Sequence, residues 1–124
     1  MPITSMMTVT PVRDASLLFG YCCLIFFMSH QSTLPVAMMF PHQDKLIHAS
    51  AYALMGGLAW LSFRHLNFPV IITALVALLF ASVYGVTDEY HQSFIAGRDA
   101  DVWDWVADTT GALLMIAIIV WRKR

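Results

Sequence analysis

Polar and apolar positions divide the chain into four apolar runs separated by short polar stretches. Ala15–Met28 carries no charge, and with its flanks it predicts a first helix over residues 14–31. Ser32–Gln43 contains Pro35 and Pro41 and reads as a loop. Asp44 then suits the N-cap of a second helix over 44–63, with Gly56 and Gly57 placed for close packing against a neighbour. Arg64 to Asn67 is a polar turn. Pro69 opens a third helix over 69–90, whose stretch Pro69–Thr87 is uncharged for 19 residues, close to the roughly 20 that cross a bilayer core. A fourth helix is expected over 102–121, starting near Asp101 and stopped by Arg122, Lys123 and Arg124. Met1–Val12 reads as a poorly ordered tail. The first run also has the length of a signal-peptide core, but no small-x-small cleavage site follows it, so an uncleaved span is expected.

Composition turns these helices into membrane spans. Hydrophobic residues make up 59% of 124 and charged residues 12%, with a mean hydropathy of +0.68; soluble domains run near 45–50% and 25%. The expected fold is all-α, a polytopic membrane protein built as one domain of four transmembrane helices over residues 1–124. A net charge of −1 gives no field for nucleic acid. Cys22 and Cys23 are adjacent, so they form neither a disulfide framework nor a metal-ligand spacing. With four spans both termini share a side with the Arg64 turn. Five basic residues fall there and two, Lys45 and Arg98, on the other, so the termini are expected to be cytoplasmic and the acid-rich stretch to face outward.

Residues 88–111, DEYHQSFIAGRDADVWDWVADTTG, hold six of the eight acidic side chains between two apolar runs. Helical spacing puts Asp44, His48 and Tyr52 on one face of the second helix and Asp101, Asp104 and Asp108 on one face of the fourth. Asp88, His91 and Gln92 share a face at the end of the third. His48 and Asp108 each lie about 6 Å inside their helix starts. An ionised carboxylate facing lipid costs up to about 2.5–3.5 kcal/mol, so these faces should turn toward one another. Arg98 is the expected partner of the carboxylates, because its guanidinium engages two oxygens at once. Trp103, Trp105 and Trp121 read as interface anchors, and His30, His42 and His65 as loop residues without a role.

Two motifs resemble the VanZ-like family of small bacterial integral membrane proteins. The first is Asp44, Lys45, His48 and Tyr52; the second runs from Thr87 to Gly111 and matches at Glu89, Gln92, Arg98, Asp104, Asp108 and Gly111. Ala96 stands where a proline often precedes the Gly-Arg pair. The resemblance covers residues 44–114 and implies a multi-pass cell-envelope protein. The family's namesake lowers susceptibility to the glycopeptide teicoplanin, which by analogy makes glycopeptide-susceptibility modulation one role to consider.

Three functions fit these residues. The first is a non-enzymatic module with an outward polar pocket for an envelope or lipid-linked precursor headgroup. Its candidate binding residues are Asp44, Lys45, His48, Tyr52, Asp88, Glu89, Gln92, Arg98, Asp104 and Asp108, with the bilayer as partner and no cofactor. The alternative is a membrane-embedded hydrolase or transferase acting on such a lipid, with a metal on His48, Glu89, His91, Asp104 and Asp108. Against it, HExxH, GxSxG and P-loop motifs are all missing. The third is a proton-coupled transporter, disfavoured because the acids gather at one interface. The same side chains also suit ligand-free hydrogen bonding between helices.

Overall fold

The computed structural model describes residues 3–33 and 36–123, with side chains from Thr10 onward. Pro35 and Arg124, assigned above to a loop and a helix stop, lie outside the described residues, as does the start of the expected tail. Among the described residues four helices make up the fold: α1 (Ile3–Ser29), α2 (Gln43–Phe63), α3 (Val70–Gln92) and α4 (Val102–Arg122), with a 3-10 turn at Arg64–Leu66. Each contains a segment long and apolar enough to cross a membrane. The chain is an all-helical, multi-pass membrane protein.

Most of the expected tail is instead helical, because α1 runs from Ile3 through Pro11. Asp44 also departs from its expected place. His42, with φ of 63°, is the N-cap of α2 and makes no side-chain cap bond, while Asp44 sits in the first turn. Asp101 does cap α4, its carboxylate accepting from the Trp103 N–H at 2.9 Å.

Small residues set how the helices meet. Gly111 lies so close to α2 that an added Cβ would collide with the Ala49 backbone, and at Gly56 it would sit 3.0 Å from Ala112 Cα. This close α2–α4 seam forms the centre of the bundle. α3 joins it through Ala74, Ala77 and Ala81, all buried, and through Trp105, whose indole donates to Ser82 O at 3.0 Å. Trp105 is therefore partly an internal strut, whereas Trp103 is 65% exposed. α1 is peripheral. Only 17% of its most apolar window is buried, against 28% for each of the others. Polar contacts hold both of its ends, Tyr21 in its middle donates to Ala51 O at 2.6 Å, and an open space is left between α1 and α2 from Tyr21 to Ser29.

Candidate functional site

The N-terminal turns of α2 and α4 and the C-terminal turns of α3 meet at one end of the bundle. The helical faces read from the sequence determine which side chains meet there. Lys45 Nζ donates to Asp44 at 2.7 Å, Asp101 at 2.8 Å and Asp104 at 2.7 Å, so its three protons are all committed. One turn deeper, His48 Nδ1 donates to Asp108 Oδ1 at 2.7 Å and lies 3.9 Å from Glu89 Oε1. The other imidazole nitrogen is 3.6 Å from Asp104 Oδ2, which links the two tiers. Glu89 Oε2 accepts from the Asp101 backbone N–H at 3.1 Å, tying the end of α3 to the start of α4.

Asp88 completes the deeper tier. Tyr52 donates to its Oδ2 at 2.9 Å, and Ser29 and Gln92 donate to its Oδ1. Tyr52 is 1% exposed, Gln92 2%, Asp108 0% and Glu89 9%. Within this packed group Glu89 Oε1 and Asp108 Oδ2 have no hydrogen-bond partner. Asp101 lies outside the membrane-spanning segments. The Lys45 ammonium, and then the Trp103 N–H, hold its carboxyl below the ordinary value of 3.8.

Arg98 does not do what its residue type suggested. It forms no ion pair among the described residues and spends Nη1 on two backbone carbonyls, Met28 and Gln31, both at 3.1 Å. Met28 is in the last turn of α1 and Gln31 lies two residues beyond its end, so the guanidinium fastens the point where the chain leaves α1. The carboxylates had already been claimed by Lys45, whose stem rises from the first turn of α2 directly beside α4. Arg98 Nε and Nη2 are left without partners among the described residues.

Two cavities converge on Arg98. One, of about 320 Å³, opens at the polar end and is lined by Asp44, His48, Gln92, Arg98 and Asp104. The other, of about 220 Å³, lies between α1 and α2; Leu24, Ile25 and Ala51 form its wall, and Tyr52, Asp88 and Arg98 its head. His48, Gln92 and Arg98 line both.

His91, a candidate metal ligand, is not with the carboxylates. It stacks on Phe26 at 4.4 Å between centroids and lies 3.1 Å from His30. The four-residue group whose ligand atoms lie within 4.8 Å of one another is His48, Asp88, Glu89 and Asp108. Asp88 thus takes the place that His91 and Asp104 held in the sequence reading.

A second polar group was missed. Asp14 is 1% exposed and is held by Arg13 at 3.0 Å, Arg64 at 3.1 Å and His65 at 2.8 Å, far from the first site. Fifteen residues of α1 separate it from Ser29, about 22 Å along the axis. His65 is therefore a tie between α1 and the Arg64 turn, and the bundle does carry a buried carboxylate at its opposite end. A signal was available, since Asp14 is the one acid on the side of the basic turn. Its pairing secures the far end of α1.

The VanZ/LLP1 family model matches residues 14–123, all but the ends of the chain, and the chain belongs to that family. No curated protein and no solved structure matches.

Proposed function

We propose that this VanZ/LLP1 membrane protein binds the anionic headgroup of an envelope lipid or lipid-linked precursor at the polar end of its bundle. The observation that carries the reading is Arg98. Among the described residues it is the one lysine or arginine at that end whose charge no carboxylate neutralises, and it sits where a polar cavity meets an apolar one. A guanidinium with two open donors suits a phosphate or diphosphate. The apolar cavity between α1 and α2 suits the first part of a lipid tail, and both would be reached sideways from the bilayer. In this reading the carboxylates keep Lys45 occupied and the helices in register, and they touch the ligand little. The polar end faces out of a bacterial inner membrane, both termini are cytoplasmic, and any effect on glycopeptide susceptibility would follow from holding a cell-wall precursor.

The test uses full-length protein in detergent, farnesyl diphosphate as the charged probe and farnesol as the neutral one. Native protein should prefer the diphosphate, and Arg98→Ala should weaken that binding at least about tenfold, worth about 1.4 kcal/mol. Arg122→Ala, at the other end of α4, should leave it unchanged. Equal affinity for farnesol, or an Arg98→Ala protein that binds like the native one, sinks the reading. A membrane-embedded hydrolase or transferase is the second reading, favoured by the 2.7 Å His48–Asp108 pair beside Glu89, an arrangement suited to general-base chemistry. Phosphate release from the same probe would turn the conclusion to it.

A further inference from the structure

The geometry points to a divalent-cation site formed by His48, Asp88, Glu89 and Asp108, below the lysine tier and independent of the headgroup reading. One donor atom from each residue falls within 4.8 Å of all the others. An ion bound at about 2.1 Å separates opposite ligands by about 4 Å, so small side-chain adjustments bring the four onto one centre.

Two observations beyond that proximity support the assignment. The first is the pair of orphaned oxygens. Asp108 Oδ2 and Glu89 Oε1 are buried without a partner, on carboxyls that are 0% and 9% exposed. Such groups are expensive unless something coordinates them. One cation placed between them would satisfy both oxygens at once.

The second is the division of charge between the tiers. Lys45 is held by Asp44, Asp101 and Asp104, and Arg98 is turned to backbone carbonyls. Three carboxylates in the deeper tier are left facing a single imidazole.

The surroundings have the form of an outer shell. Tyr52, Ser29 and Gln92 donate to Asp88 and would fix its carboxylate while it coordinates. His48 and Asp88 line the cavity between α1 and α2, which provides an entry path. One imidazole with three carboxylates suits Zn²⁺ or Mn²⁺ better than a soft or an all-oxygen ion. Loading displaces the imidazole proton now directed at Asp108.

The test is elemental analysis of full-length protein purified in detergent, followed by chelation and titration with Zn²⁺ and with Mn²⁺, read by binding heat and by melting temperature. The expected result is one ion per chain and a higher melting temperature on reloading. Asp108→Asn and Glu89→Gln, nearly isosteric changes, should bind at least about tenfold more weakly and lose the thermal shift. Tyr52→Phe should lose about tenfold by freeing Asp88. Arg98→Ala should load normally, which separates this outcome from that of the headgroup test. Failure of the native protein to bind either ion, or Asp108→Asn and Glu89→Gln proteins that load like the native one, overturns the assignment.

Discussion

Lys45 and Arg98 carry the same charge at the same end of the bundle, and their attachments decide what each can do. An ammonium offers three donors in three directions, and Lys45 meets three carboxylates with them. Asp101 is the partner whose response to acid can be read most directly, since it lies outside the spans. The Lys45 ammonium and the Trp103 N–H hold its carboxyl below 3.8 when the chain is folded. The unfolded chain takes up that proton first as pH falls. The stabilisation is therefore complete above the ordinary value and is lost as pH drops through the lowered one. The melting temperature of the native protein in detergent should fall below about pH 4, and that of Asp101→Asn should fall less steeply over the same interval. Parallel curves for the two proteins would mean that Asp101 contributes nothing through its charge.

Among the elements, the α2–α4 seam is where the least movement is available. A Cβ at Gly111 meets the Ala49 backbone, which cannot rotate aside, so Gly111→Ala should destabilise by about 1–3 kcal/mol and loosen the site one turn above it. Gly57 offers the contrast. A Cβ there finds Met115 Cγ at 3.5 Å, an ordinary contact with a flexible side chain. Gly57→Ala should therefore be neutral or stabilise by up to about 1 kcal/mol. Thermal unfolding of both variants checks the pair, and equal effects would contradict the seam.

The same elements show what a sequence can and cannot reveal. The period of a helix put Asp44, His48 and Tyr52 on one face and Asp101, Asp104 and Asp108 on another, and those faces do meet. The period leaves rotation and rise between helices open, and partner choice depends on both. Arg98 was therefore expected on the carboxylates and lies on the α1 carbonyls, while Lys45 takes the acids. His91, one turn from Asp88, lies against Phe26 instead of the metal-ligating group. Asp14 went unassigned because its partners Arg64 and His65 are 50 and 51 residues away.

At the scale of the whole molecule the two ends are chemically unlike. One holds seven of the eight acids together with Lys45, His48 and Arg98. The other holds Asp14 among Arg13, Arg64 and His65, with Arg122 and Lys123 at the end of α4, where Lys123 Nζ lies 5.8 Å from the Trp60 ring centroid. Excess lysine and arginine marks the cytoplasmic side of a multi-pass protein, and the proposed orientation, with the cavities on the outer face, rests on that rule. Two single cysteines test this in a background with Cys22 and Cys23 changed to Ala. Ala100→Cys lies in the exposed loop before α4, and Leu66→Cys replaces a 55% exposed residue at the far end. A membrane-impermeant maleimide should label Ala100→Cys in intact cells and Leu66→Cys only after lysis. The reverse pattern would turn the Arg98 cavity to the cytoplasm. Its anion would then have to come from inner-leaflet headgroups, and a role in handling exported wall precursors would no longer follow from the architecture.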